Sequence, residues 1–497
     1  MTLSWILFGL YLAGTTWLGW LGYRKTRSFS SFAIGNGDLS AFQVGVTLAA
    51  ATASAATFII NPGFVYVDGL SAFLHLGVGV YAGFVGMLAV LSFRFRKIGA
   101  SMGALTIPDW IGKRYGAPAF SLYFAVLNLL TFAFVVLLVG GISIVMQRLL
   151  GVTNVVALLI TLVFVTGYVF IGGTYAHVFT NMLQGMLMIG VTLIILYFGF
   201  REMVQTDDFI GLLQNKNPWL LRPANPQSTL FKDWFSTWFS GLCIGGALVC
   251  QPHILTKALY VDNDRDVRRY ILVFSAVFLL FTLLLLAGFW AHIDLSADQL
   301  TDPETGHFRQ DLVMTVWLER ILPDWLFTIV GIVLLAAAMS TLDGLLVGIS
   351  TITANDLVLN LVNRFSKHSL SHEERMHLAM RASHVVLVAI AVLAFAVTLH
   401  PPRLLGIFGQ VGVYGLVLAT VPPLLTGVLF ERASLPVVWV MSVVALVVHF
   451  GLYFFGQRLF PHSELAFANP GVTATIGLCS STIPTLVFHW IKSRSDA

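Results

Sequence analysis

Charge is what this 497-residue sequence has least of: Asp, Glu, Lys and Arg make up 10% of it, against about a quarter in soluble domains. That deficit excludes a soluble globular chain. Lys and Arg exceed Asp and Glu by only four, and no basic run is long enough to hold nucleic acid. Cysteine is scarce as well. Cys243 and Cys250 fall in one apolar segment and Cys479 in another, so the three read as buried thiols and not as a disulfide framework. HExxH, GxSxG, a Walker loop and paired cysteine motifs are all missing, and His177, His253 and His449 lie on different segments with no metal-ligand spacing. Without a nucleophile or metal set, the chain is not expected to be an enzyme. The longest stretches outside the apolar segments, roughly 201–230 and 293–323, are too short for a catalytic domain.

What is plentiful is apolar. The sequence is 57% hydrophobic, with 39 Phe and 12 Trp, which suits a lipid-facing surface with interfacial anchors. A membrane crossing needs about 20 mainly apolar residues. By that rule 13 segments qualify, near 3–23, 39–61, 70–93, 119–147, 154–172, 178–200, 231–251, 270–292, 324–352, 379–399, 404–430, 436–456 and 471–491. The first lacks a basic lead and a cleavage site, so it reads as a retained helix and not as a signal peptide. Alternate connections differ in charge. One set, running from Arg24, Lys25 and Arg27 through Lys257, Arg265 and Lys367 to Lys492 and Arg494, holds 19 of the 28 Lys and Arg; the other, with Arg148, Arg201 and Arg403, holds nine. Positive loops stay inside. The N-terminus is then outside and the C-terminus cytoplasmic, in a plasma membrane (a bacterial inner membrane).

Two spans are weak as helices. The second, FQVGVTLAAATASAATFIINPGF, is rich in Ala, Ser and Thr and ends at Asn61-Pro62-Gly63. The seventh, WFSTWFSGLCIGGALVCQPH, carries Gly241, Gly245 and Gly246 before Pro252. Small residues in membrane helices also serve plain close packing. Spaced five spans apart, however, the two fit a carrier built of inverted five-helix repeats, each beginning with a helix interrupted near the midplane. Residues 39–200 and 231–430 would be the repeats of a single polytopic domain, with 1–38 and 431–497 peripheral.

The ninth span contains AAAMSTLDGLL at 336–346. A carboxylate within a bilayer is costly and usually functional. Sodium prefers oxygen ligands, and carbonyls of an unwound helix together with hydroxyls from a neighbour can hold it without a permanent anion. Ala337, Ser340 and Thr341 share one helical face. Alternatively, Ser340 and Thr341 bond back to their own helix.

This stretch, with TLAAATASAATFI at 47–59, LTIPDWIGKRYG at 105–116, GGTYAHVFTNMLQGMLM at 172–188, QPHILTKAL at 251–259, PPRLLGIFG at 401–409 and LFERAS at 429–434, resembles the sodium:solute symporter family of proline, pantothenate, monocarboxylate, sialic acid and sodium–glucose transporters. The resemblance spans the chain. It implies an all-α integral membrane protein with a leucine-transporter-like fold and 13 transmembrane helices, importing a small solute with Na+ by alternating access. Carried over by motif, the sodium ligands would be the carbonyls of Ala50, Ala53 and Ala337 and the hydroxyls of Ser340 and Thr341. Where many members have an acid on the sixth span, this chain has Asn181. An acid is present instead at Asp343, so Asp343, Asn181 and Ser340 form a candidate second cation site. The alternative is a structural, hydrogen-bonded Asp343 and a single sodium.

Solute-binding candidates beside the broken helices are Thr52, Ser54, Thr57, His75, Trp238 and Gln410. Gln410 falls where sugar-carrying relatives have a Gln, but their polar pair on the second span is Ala56 and Thr57 here. A small, partly apolar solute with a carboxylate, such as an amino acid, pantothenate or a monocarboxylate, therefore fits better than a sugar, since hydroxyls and helix N-termini hold anions. The expected partners are that solute and the lipid bilayer, with no nucleic acid. The rival functions are a proton-coupled carrier of the same fold and a transporter-like membrane sensor.

Overall fold

The computed structural model describes residues 2–54, 56–301, 306, 308–365, 371–400 and 405–495. Lys367, Arg403 and the Pro401–Pro402 pair of the sequence motifs lie outside them. All named elements among the described residues are helical, with two isolated β-bridges. The long segments are α1 (Thr2–Lys25), the bent pair α2 and α3 (Ala41–Thr52 and Ala56–Asp68), α4 (Leu70–Met102), α5 (Pro118–Leu150) and α6 (Asn154–Gln205). They continue with the bent pair α7 and α8 (Phe235–Leu248 and Pro252–Tyr260), α9 (Asp264–Asp294), α10 (Asp324–Val362), α11 (Glu373–Thr398), α12 (Gly406–Leu429), α13 (Leu435–Leu459) and α14 (Pro470–Ser495). Nine of these are single helices long and apolar enough to cross a membrane, and each bent pair adds one more.

α6 has 52 residues, about 78 Å if straight at 1.5 Å per residue, more than twice the hydrocarbon thickness of about 30 Å. It is not straight. Gly173 has φ 50° and ψ −137°, and kinks the helix between the two spans expected there. A side chain at that backbone geometry is strained, and a Cβ would overlap Phe32. The kink frees the Gly172 carbonyl, which accepts a hydrogen bond from the Thr26 hydroxyl at 2.9 Å.

The second span bends within its length, and it does not end at Asn61-Pro62-Gly63 as its sequence suggested. The chain is helical through those residues to Asp68: Ala56–Ile60 form a wide π-turn, and the α-helical stretch starts only at Asn61, so Pro62 falls in its first turn, where a missing N–H costs little. The bend, 54° between the two arms, lies between Thr52 and Ala56. There the Thr52 hydroxyl bonds back to the Leu48 carbonyl at 2.7 Å, and the Ser54 hydroxyl accepts from the Ala56 N–H at 3.1 Å. Short polar side chains compete with the ladder and open it.

The seventh span bends by 65° at Val249–Gln251, just before Pro252. Proline has no N–H to give the Leu248 carbonyl, and the Gln251 backbone and side-chain amides bond it instead, at 3.2 and 3.1 Å. The glycines of this span do the work of packing. Cβ atoms at Gly241 and Gly245 would meet the His75 and Val80 carbonyls of α4, and one at Gly83 the Leu242 carbonyl of α7. α4 and α7 therefore touch backbone to backbone, as small residues permit.

At the centre runs α10. From Val330 to Val347 every residue is buried, so this helix has no lipid face and its polar side chains must find partners in protein. It packs against α2, α5 and both arms of α6.

Candidate ion and solute site

The bend in the second span frees carbonyls. The last ladder bond of α2 joins the Ala53 N–H to the Ala49 carbonyl, and the next N–H, that of Ser54, turns to the Thr52 carbonyl. The Ala50 carbonyl has thus lost its helical donor. The Ser340 hydroxyl lies 2.9 Å from it and 2.7 Å from the Ala337 carbonyl of its own helix. One turn-position on, the Thr341 hydroxyl donates to the Ala51 carbonyl at 2.9 Å. Ser340, Thr341, Ala50, Ala51, Ala53 and Ala337 are all 0–1% exposed. Neutral carbonyl and hydroxyl oxygens thus converge from two helices in a dry site, a donor set that suits one hard monovalent cation.

Of the five residues expected as sodium ligands, Ala50, Ala337 and Ser340 are joined by hydrogen bonds, while Thr341 pairs with Ala51. Ala53 ends the arm at φ −80°, ψ 75°. Ala51 was missed: a residue that contributes only its carbonyl leaves no side-chain signal in the sequence.

The second cation site does not assemble as expected. Asn181 does not face Asp343: its amide donates to the Ser340 carbonyl at 2.7 Å. Asp343 is held instead by three side chains of α6. Its Oδ2 accepts from the Tyr168 and Thr180 hydroxyls at 3.0 and 3.2 Å, and its Oδ1 lies 2.9 Å from His177 Nδ1. The kink at Gly173 explains this, since it folds Tyr168 and His177 from opposite arms onto one carboxylate. No group of three or more His, Cys, Asp or Glu fit for a metal is present among the described residues.

Next to this cluster of oxygens lies a cavity of about 120 Å³. Thr52, Ser54, Thr57 and Gln410 line it, as expected, and so do Asn61, Gln251, His253 and Tyr414, with Phe84, Phe134 and Phe278 as apolar wall. Asn61 and Gln251 precede the two prolines already noted in the sequence; adjacency to a helix break was the available signal. His75 and Trp238 do not line it. His75 is buried against Phe231, with Nδ1 2.7 Å from the Ser236 carbonyl, so it fastens α4 to the start of α7. Trp238 stacks on Trp234 at 6.1 Å. His75 meets α7 at Ser236 and Trp238 sits beside it, both near the start of the first arm and about three turns before the break.

Lys257, assigned to a cytoplasmic connection from its charge, is another correction. It is 0% exposed and donates to the His253 carbonyl within α8. The second arm of the broken span extends past Pro252 and takes Lys257 into protein.

Bent helix pairs, a buried central helix and a cavity at the breaks define a leucine-transporter-like membrane carrier. Solved structures agree on the fold. A Na+-coupled sialic acid symporter in a substrate-bound outward-open state matches at TM-score 0.75 over 98% of both chains, with 17% identity. MHP1, a nucleobase-cation-symport-1 family transporter with a bromovinylhydantoin bound, matches at 0.52 over 93% of this chain and 95% of its own, with 13% identity. The family model of the sodium:solute symporters matches residues 32–436, and the chain belongs to that family. Its relatives include the sodium/pantothenate symporter of Haemophilus influenzae, 24% identical over 431 residues, which are 86% of this chain and 85% of that one. The high-affinity proline transporter PutP of Bacillus subtilis is 24% identical over 392 residues, 76% and 78% of the two chains.

Proposed function

We propose that this protein is a sodium-coupled symporter that imports a small, partly apolar organic solute bearing a carboxylate. The observation that supports the reading is the pairing of the Ser340 and Thr341 hydroxyls with the Ala50 and Ala51 carbonyls, neutral oxygens next in sequence to Thr52 on the cavity wall. Sodium bound there would tie α2 to α10 and fix the bend that shapes the cavity. That gives ion and solute a shared preference for one conformation, which is what coupling requires. Inward sodium movement supplies about 2.3 kcal/mol per charge per 100 mV, plus its concentration term.

The cavity lining carries hydroxyls, amides, an imidazole and aromatic rings, with no Asp, Glu, Lys or Arg. Hydroxyls and the start of α3 can take a carboxylate without a buried cation, and the rings can take an apolar body. Sodium/pantothenate symporters and proline transporters among the relatives fit the same class.

We assign 13 crossings by counting α1, both arms of α6 and each bent pair as spans. The repeats are then 39–200 and 231–430, with 1–38 and 431–497 peripheral. Withdrawing Lys257 leaves 18 basic residues against nine, so the N-terminus stays outside and the C-terminus cytoplasmic. The test is uptake of labelled proline, pantothenate, short monocarboxylates and sugars into proteoliposomes, with and without sodium. Sodium-stimulated uptake of a carboxylate solute is expected. Uptake of any solute that ignores sodium, or of sugars alone, refutes the reading.

A further inference from the structure

Two imidazoles flank one face of α10. Gly344, Gly348 and Thr351 follow one another on that face at helical spacing. A Cβ at Gly344 would lie 2.9 Å from His177 Cε1 and 3.5 Å from its Nε2, and one at Gly348 would lie 3.8 Å from the His253 backbone nitrogen. The two glycines leave room there for a pocket of about 20 Å³, walled by His177 of α6, His253 of α8 and these residues of α10.

The polar atoms of that wall lack partners. His177 Nδ1 lies 2.9 Å from the Asp343 carboxylate, which only accepts, so a neutral ring keeps its proton on Nδ1 and presents a lone pair at Nε2. His177 Nε2, His253 Nδ1 and the Thr351 hydroxyl have no hydrogen-bond partner among the described residues, and the three residues are 1%, 5% and 3% exposed. Buried polar atoms left unpaired are costly. A water molecule needs about 10–15 Å³ and two to four polar partners; this pocket has the space for one and three partners to hold it. Sodium suits it poorly, because it prefers oxygen and two of the three groups are nitrogens.

The pocket also stands between two larger cavities. His253 belongs to its wall and to that of the solute cavity. Leu105 belongs to its wall and to that of a cavity of about 920 Å³, lined by Arg96, Lys113 and Arg375 from connections assigned to the cytoplasm. At its size the pocket passes no organic solute.

We propose that the pocket holds one water molecule, hydrogen-bonded to His177, His253 and Thr351, and that this water bolts α6, α8 and α10 together and closes the solute cavity to the cytoplasmic side. Opening toward the cytoplasm breaks those bonds. Which side is closed rests on the orientation proposed above; the water and its three partners do not.

Two measurements test this. High-resolution cryo-electron microscopy of the native protein in lipid nanodiscs should show a single peak within hydrogen-bonding distance of all three groups. Well-resolved side chains with no peak between them overturn the proposal. The second measurement reads access to the solute cavity. Val413→Cys places a thiol on its wall, and a membrane-impermeant maleimide probes it in inside-out vesicles, with the native cysteines as background. Adding Thr351→Val removes one bond to the water and should raise the labelling rate about fivefold, the worth of one hydrogen bond. Thr351→Ser keeps the hydroxyl and should leave the rate unchanged. A methyl at Gly348 meets only ordinary contacts, so Gly348→Ala should fold, fill the pocket, expel the water and raise the rate as well; either variant suffices if the other fails to fold. An unchanged rate in folded Thr351→Val or Gly348→Ala protein overturns the bolt. A rise confined to probes added from the opposite face supports the bolt and overturns the orientation.

Discussion

Ser340→Ala tests the cation cage most directly. In the structure the hydroxyl lies between two carbonyls, 2.9 Å from Ala50 and 2.7 Å from Ala337, with no exposure to solvent. Its two roles differ in energy. As a neutral hydrogen bond it contributes about 1 kcal/mol to folding, and the Ala337 carbonyl remains within a regular helix when it is lost. As an oxygen facing a charge in a dry site it contributes about 1.5–3 kcal/mol, the range for hydrogen bonds to charged groups. Each 1.4 kcal/mol is about a factor of ten in affinity. The sodium concentration for half-maximal uptake should therefore rise about ten- to a hundred-fold, while the solute KM at saturating sodium and the yield of folded protein stay near native. The assay is initial uptake across a sodium series, with thermal melting in detergent as the folding check. Thr47→Val provides the control: that hydroxyl is buried on the same α2 but bonds the Val178 carbonyl of α6 at 3.4 Å, not a group of α10. It should alter stability slightly and sodium dependence not at all. A half-saturation unchanged within a factor of two in Ser340→Ala would refute the cage.

Gln410→Ala should raise the solute KM about tenfold or more, the loss of one buried polar contact, and leave sodium half-saturation unmoved at saturating solute; equal shifts in both would place Gln410 in the ion site. Gly245→Ala should abolish folded protein, since its methyl would overlap the Val80 carbonyl across a backbone contact, and detergent-stable yield by size-exclusion chromatography measures it. Outside the membrane, burial opposes the charge of Asp38, but the Tyr175 hydroxyl at 2.5 Å and the Lys25 ammonium at 3.2 Å outweigh it and hold the carboxyl below its ordinary value of 3.8. A lowered folded value stabilises above the unfolded value and is lost as pH falls through the folded one. Asp38→Asn should therefore melt lower than the native protein at pH 7, and the gap should close below about pH 4.

Sequence determined the elements whose causes are local. Length and apolarity specify spans, because backbone in lipid must satisfy its own hydrogen bonds. Pro252 and Gln251 mark the second bend, since a missing N–H frees a nearby carbonyl. Ser340 and Thr341 announce a polar patch, since hydroxyls inside a fully apolar helix need partners. These readings gave the fold class, and they drew attention to Ala50, Ala337, Ser340 and Thr341, which lie in one buried cluster of oxygens, and to Thr52, Ser54, Thr57 and Gln410, which line the cavity beside it.

Tertiary structure decided whatever depends on direction. The second span bends at Thr52–Ala56 and runs on past Pro62 to Asp68, because Pro62 falls in the first turn of an α-helical stretch that follows a π-turn. His75 and Trp238 belong to the third and seventh spans near the breaks in sequence, yet both sit at the start of α7, about three turns before its bend, and outside the cavity. Ala51 acts through a carbonyl that every residue possesses. Asp343 offered no clue to its partners: only a kink at Gly173 could bring Tyr168, His177 and Thr180 to it. A one-dimensional pattern records which residues are costly to bury, but the compensation for that cost is set by which distant backbones come together.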